Sequence, residues 1–456
     1  MTRIIDECVA RFKDILTAFN EREDISLGTA EVVLTKQIYG LVAEYLGALY
    51  EAKDDEIRIN KAQRKADGLV VERRNDKRQL VSSFGVVSYK RTYYKVANGY
   101  DYPVDHIAGI EQYSRISSGT SIALAATACT NSYENSSRLV TGGAVSRQTV
   151  MRKIRLMEIP ETPSLPQKKK VSVLHIDADE DHVSLQNGKN VIVPIVCIYE
   201  GKEKVCKGRN RCINAFSVSK YGSDYDGFWD SVLTEVEARY DISDATIYLH
   251  ADGGSWIQKA KDWFPNLVFV LDDYHKNKAI KRAVSGIARK DAEQYAEAIR
   301  DSFLEGDARL LTEIRDSLLL TYPERSKTIQ QGLDYLIRFF DAIHLRAANP
   351  DSVLGGASEP HVQHVLSERL SSTPKAWSEE TLKHLVPILA ARQSAIACPI
   401  REVSTKEPHC EQVEKKQKMK NTAGMIDPDL VIYFPAEAYK KTSLSTTLKA
   451  YGRQRF

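Results

Sequence analysis

The sequence has little of what would fix a protein's surroundings outright. Its seven cysteines are scattered along 456 residues and odd in number, which does not make a disulfide framework. Cys206 and Cys212 lie six apart and His409-Cys410 stands alone, and neither matches the ligand spacing of a zinc site. No apolar run approaches the roughly 20 residues of a membrane span. The opening Met1-Thr-Arg-Ile-Ile-Asp-Glu7 lacks the order of a signal peptide. These absences predict a cytoplasmic protein with reduced thiols and no membrane partner. Charge of one sign is also missing: 64 Lys and Arg face 61 Asp and Glu, a net of +3. That balance argues neither for nor against nucleic acid, so local patches must decide. What is present is ordinary for a globular protein, 43% apolar and 27% charged. The chain is too long for one core, so two or three domains are expected.

Residues 1–60 have helical spacing. Ile5, Val9, Phe12, Leu16 and Phe19 recur at three and four, as do Leu34, Ile38, Leu41, Tyr45 and Leu49. Two helices broken near Asp24–Thr29 fit this, either packed on each other or serving dimerisation. Residues 61–110 change character. A basic run from Arg64 to Arg78 leads into Gln79–Lys95, which predicts a β-hairpin turning near Phe84-Gly85. Lys90 and Arg91 alternate with tyrosines there, a pattern suited to a phosphate backbone or to a solvated strand face. Tyr100–His106 is read as a connection.

Residues 111–160 predict a helix-turn-helix. Helices over Thr120–Cys129 and Tyr133–Val140 are followed by a glycine turn. Ser146 then caps a helix running to Met157. That helix is expected to expose Arg147, Gln148, Arg152, Lys153 and Arg155 and to bury Val150, Ile154 and Met157. Arg and Gln near a recognition-helix N-terminus suit major-groove base edges; a plain helical hairpin is the alternative. Pro160, Pro163 and Pro166 with Lys168–Lys170 mark a linker.

From 167 to 400 strands and helices alternate. A strand ending on Asp177-Ala-Asp179-Glu-Asp181-His182 and a hairpin through Asn187-Gly188 come first. A third strand, a helix and two more strands follow, the last two ending on His250-Ala-Asp252 and Asp272-Asp273-Tyr-His275. Three antiparallel strands followed by a helix and parallel strands describe an α/β core of RNase H-like type. An all-helical stretch over 280–350 is inserted in it. Gly253 and Gly254 permit a tight turn and close approach of a ligand beyond a strand end. Glu359 sits at the start of a late helix, with Glu368 deeper inside it. Residues 401–456 form a basic tail.

Three blocks carry a resemblance: Asp177-Ala-Asp-Glu-Asp-His-Val183, His250-Ala-Asp-Gly-Gly-Ser-Trp-Ile257 and Leu271-Asp-Asp-Tyr-His-Lys-Asn-Lys278. With the late block from Ser358 through Trp377, they resemble the ISLre-two-type insertion-sequence transposases. These are bacterial relatives of Mutator-type elements. The resemblance covers most of the chain, to roughly residue 400. It implies an Asp-Asp-Glu transposase that binds magnesium, with manganese as a substitute. The implied ligands are Asp179, Asp252 and Glu359. Asp177 lies on the same strand face as Asp179, so either could bind metal. Asp273 and His275 could support catalysis, or His275 could be structural; Trp256 could stack on a flipped base or pack in the core. The implied partner is double-stranded DNA, both element ends and target, gripped by at least a dimer. An inactive DNA-binding derivative and a nuclease without strand transfer are the competing readings.

Overall fold

The computed structural model describes residues 2–160, 162, 167–206, 209–350, 353–356, 358–394 and 400–402. The basic tail expected at 401–456 therefore lies outside them beyond Glu402. The chain divides into two compact units. One holds Thr2–Glu158 with Ile400–Glu402, and the other runs from Ile159 to Ser394. Among the described residues, no helix is long and apolar enough to cross a membrane.

The first unit opens with helices α1 (Thr2–Asn20) and α2 (Leu27–Ile59). Strands β1 (Val70–Ser82), β2 (Gly85–Val96) and β3 (Gly99–Asp101) follow as an antiparallel sheet in that order. Leu80, Val87 and Tyr89 turn inward onto Ala43 of α2 and Val104. Asp54 of α2 accepts from the Thr92 amide (2.9 Å) and hydroxyl (2.6 Å), tying helix to sheet. The stretch 100–106 is not a plain connection. It holds β3 and a short helix, Pro103–Ile107, because Tyr100 and Tyr102 pack against Tyr93 and Asp105 accepts the Tyr89 hydroxyl (2.8 Å).

Helices α3 (Ser118–Ala128), α4 (Tyr133–Thr141) and α5 (Arg147–Ile154) complete the unit. Ser117, Ser132 and Ser146 each accept a backbone N–H from the first turn. Gly142, at φ 61°, ends α4. The last helix is three residues shorter than its spacing predicts. Met157 is buried, but it belongs to a two-residue strand paired with Arg401–Glu402.

The second unit is built on five strands: β4 (Val173–Ser184), β5 (Asn190–Tyr199), β6 (Phe216–Ser219), β7 (Thr246–Ala251) and β8 (Leu267–Leu271). Their spatial order is β6-β5-β4-β7-β8. β5 is antiparallel to β4 and β6, whereas β7 is parallel to β4 and β8. Helix α6 (Tyr225–Glu237) links β6 to β7, and α7 (Ser255–Gln258) follows β7.

The acids of the first strand lie within it and not at its end, where the sequence alone places them. β4 runs on to Ser184 because β5 pairs with it from His175 to Ser184. β7 pairs with it only from Val173 to Asp177. Asp179 and Asp181 thus lie mid-strand, on the stretch that β7 leaves unpaired.

Helices α8 (Asp273–Ala283), α9 (Arg289–Glu305), α10 (Ala308–Thr321), α11 (Ser326–Arg338) and α12 (Phe340–Ala348) enclose their own apolar core, including Ile299, Leu311, Leu318 and Leu333. The chain returns through Gly355-Gly356 to α13 (Ser358–Val362), a π-helical turn (Gln363–Ser367) and α14 (Glu379–Gln393). Gly356 is required there: a Cβ would lie 2.8 Å from the His250 Cβ.

Candidate active site on the polar face of the sheet

Successive residues of a strand point to opposite faces. Leu174, Ile176 and Ala178 of β4, with Ile247, Leu249 and Ala251 of β7, face an apolar core against α6 and α7. The intervening residues, His175, Asp177, Asp179, Asp181 and His250, face the other way. The register pairs His250 with Asp177. Two residues beyond that pair come Asp179, which alternation puts on the polar face of β4, and Asp252, which follows just past the end of β7. Each is half-buried. Asp179 Oδ1 accepts the Glu180 amide (2.8 Å). Asp252 Oδ1 accepts the Gly254 amide (2.8 Å), and its carbonyl accepts the Tyr335 hydroxyl (2.7 Å). Gly253, at φ 86°, lets the Phe339 ring approach where a Cβ would stand 2.3 Å from it. The helical insertion therefore braces the Asp252 turn directly.

Glu359 lies in α13, and its side chain is outside the described residues. The helix packs against β4 and β5. His361, two residues on, places Nε2 3.4 Å from Asp177 Oδ2. The alternative acid, Glu368, is exposed and pairs with His364 (3.1 Å). Carboxylate oxygens near an open strand end suit a hard divalent cation. Among the described residues no three His, Cys, Asp or Glu side chains converge on one point; Glu359 is not among those side chains.

Beneath the aspartates lies a buried layer that the sequence did not reveal. His175 Nδ1 is 3.1 Å from His250 Nε2, and the His175 ring stacks on those of His250, Tyr199 and Tyr248. Burial lowers both histidines to about 4, so both are neutral at pH 7. Asp177 accepts the Tyr199 hydroxyl (3.1 Å). Burial opposes its charge, but His361, His250 and Lys202 outweigh it and hold the carboxyl below its usual range. Burial likewise opposes charge on His361, yet Cys197, Asp177 and Cys212 raise it well above normal. Asp177 is thus engaged by Tyr199 and His361 underneath, while Asp179 and Asp252 stand at the rim. A His-Ile-Asp alternation in β4 was the one signal that could have exposed this layer.

Other expectations change. Asp273 is held by Lys276 (2.7 Å) and by Arg346. Burial opposes its charge but these cations keep its carboxyl low, so its charge is engaged by Lys276 and Arg346 within the fold. His275 starts α8 half-buried, with Nδ1 unsatisfied. Trp256 is 5% exposed and stacks on Trp229 and Tyr225, so core packing is its role and not base stacking. Arg91 is committed to Asp105 and covers the Tyr102 ring at 3.5 Å. It is no phosphate contact, although Lys90 is exposed. On α5, Arg147, Gln148 and Arg152 are exposed. Lys153 is instead paired with Glu402, and Arg155 is half-buried past the helix end.

A family model for UPF0236, described as an uncharacterised protein family, matches residues 21–407. The chain belongs to the UPF0236 family. A UPF0236 protein of Caldanaerobacter subterraneus subsp. tengcongensis is 34% identical over 346 residues, spanning 75% of this chain and 73% of its own. A second from that bacterium is 34% identical over 331 residues, 71% of this chain and 69% of its own. A third, whose single name joins eleven locus numbers, is 34% identical over 75% of this chain and 72% of its own. UPF0236 therefore has many paralogues in one bacterium. Among solved structures, a chain of the simian T-cell lymphotropic virus intasome in complex with PP2A regulatory subunit B56 gamma matches 34% of this chain and 61% of its own. Its identity is 9% and its TM-score 0.14, too low to carry any argument.

Proposed function

We propose that this UPF0236 chain is a DNA transposase of the ISLre-two insertion-sequence type, with an RNase H-like core. The strand order supports the core: third, second, first, fourth, fifth, with the second strand antiparallel and a helix before the fourth. The observation that supports the function is the register pairing His250 with Asp177, two residues before Asp252 and Asp179, with the Glu359 helix packed on the same strand through His361 and Asp177. Many paralogues in one bacterium fit genes that multiply within a genome.

In this reading Asp179, Asp252 and Glu359 hold magnesium, or manganese in its place. A bound metal pair supplies activation of the attacking oxygen and stabilisation of the leaving oxygen. The chain's own groups do the rest. Tyr335 and the Gly254 amide fix the Asp252 turn, and the Asp177–His361 pair seats α13. Arg147, Gln148 and Arg152 of α5 grip double-stranded DNA. Hydrolysis at the element end breaks one P–O bond and frees a 3′-hydroxyl. That hydroxyl then attacks a target phosphodiester, forming one P–O bond as another breaks. Two ends must be joined, so at least a dimer acts on DNA.

The test is a plasmid carrying the element's own flanking ends, incubated with the purified chain and magnesium. Wild type should cut at the ends and yield joined products, and Asp252→Ala and Glu359→Ala should do neither. Cutting without joining identifies a nuclease. Tight binding with no cutting by any version identifies a DNA-binding protein. Cutting that survives Glu359→Ala removes Glu359 from the ligand set.

A further inference from the structure

Helix α1 carries two neighbouring apolar stripes, and only one is used. Ile4, Cys8, Ile15 and Phe19 are buried or half-buried where α1 packs on α2. Ile5, Val9, Phe12 and Leu16 remain exposed at 47%, 48%, 41% and 37%. Their spacing of four, three and four is that of a coiled-coil seam. We propose that this seam pairs, antiparallel, with the same seam of a second copy of the chain.

Two features choose that occupant. The seam maps onto itself when the helix direction is reversed: residue 5 meets 16 and residue 9 meets 12 about a two-fold axis. An isologous interface requires such self-complementarity. The charges beside the seam follow the same symmetry. Arg3 is paired with Glu7 (2.9 Å) and Arg11 with Glu44 (3.0 Å) within the chain. Asp6 and Lys13 are exposed and make no ion pair within the described residues. They occupy equivalent positions one step past Ile5 and Phe12. In the antiparallel pair each Asp6 faces the Lys13 of the other copy, twice over. In a parallel pair the two positions of one copy lie across the seam from those of the other, so Asp6 and Lys13 do not meet and neither gains a partner.

Four part-exposed side chains per copy make a contact smaller than the roughly 800 Å² per partner of a standard interface. The dimer is therefore weak in free solution. The inference does not rest on the transposase reading.

The test is sedimentation of the full chain without DNA or metal, over a range of concentrations. Wild type should show a concentration-dependent dimer. Phe12→Glu should leave a folded monomer, checked by circular dichroism. Lys13→Asp should weaken the dimer at least tenfold, and Asp6→Lys combined with Lys13→Asp should restore it. A wild type that stays monomeric to about 100 µM, or a dimer indifferent to Phe12→Glu, overturns the proposal. Failure of the double variant to recover overturns the antiparallel pairing. None of these results touches DNA cleavage, so this inference and the proposed function fail separately.

Discussion

The two faces of the five-stranded sheet are made by alternate residues of the same strands, yet they do opposite work. On one, Ile176, Ala178, Leu249 and Ala251 meet Phe228, Trp229 and Trp256, with Glu180 accepting the Trp256 Nε1 hydrogen at its edge. On the other, His175, Asp177 and His250 are 3% exposed or less, and Asp179 and Asp252 wait at the rim. Burying apolar area stabilises. Burying ionisable groups costs free energy unless they are paired. The polar face meets that cost with pairings: His175 with His250, and Asp177 with Tyr199 and His361. A fold needing only stability would make both faces apolar, so the polar face points to chemistry.

The contrast can be broken from either side. Trp229 is fully buried and donates Nε1 to the Trp256 carbonyl (2.9 Å). Trp229→Ala should cost about 3–5 kcal/mol, read from denaturant unfolding, with DNA cleavage falling only as folded protein is lost. Asp252→Asn should behave oppositely. If the proposed activity holds, cleavage should vanish while the unfolding midpoint stays near wild type, since Asp252 is half-buried and its Oδ1 bond to the Gly254 amide survives the change. If Asp252→Asn unfolded the chain as Trp229→Ala does, the polar face would be a structural network.

A pH titration sharpens the comparison, because the buried histidines lie on the polar face. His175 and His250 have pKa values lowered by burial from 6.5 to about 4. Between those values the unfolded chain binds protons that the folded chain does not, so stability is lost as pH falls from 6.5 toward 4. The limit is roughly 3 kcal/mol per histidine. His361 has the opposite sign: its pKa is raised, so its contribution is full below about 6.5 and lost as pH rises through the folded value. Urea unfolding should therefore show a maximum near neutrality, and His175→Phe should flatten its acid side. An unchanged acid limb in that variant would mean that the histidine pair is not buried neutral.

How much of this was legible depended on which forces are local. Alternation along β4, the cap at Ser146 and the Gly253-Gly254 turn are written in neighbouring residues, and the structure carries each of them. The length of β4 was not, because β5 extends it through pairing that spans two strands. Nor could spacing show that Asp105 takes Arg91, that Arg346 takes Asp273, or that Tyr335 reaches the Asp252 carbonyl across 83 residues. These are encounters between distant segments. Each acid or base was recognisable as a candidate, but whether it was spent inside the fold was decided by its partner.

The same inward–outward contrast runs along α5, and there the expected effect is smallest. Val150 and Ile154 are buried, Arg147 and Arg152 are exposed, and Lys153 is only 15% exposed against Glu402. If α5 meets DNA, each exposed arginine on a phosphate contributes about 0.9 to the slope of log affinity against log salt. Arg147→Ala and Arg152→Ala should each lower that slope by about one and weaken binding most at low salt. Lys153→Ala should leave the slope unchanged, because its charge is already neutralised by Glu402. A fluorescence anisotropy titration across salt concentrations separates them. A change in slope for Lys153→Ala alone would mean that the Glu402 pair opens on DNA and that the recognition surface extends to the inner edge of the helix.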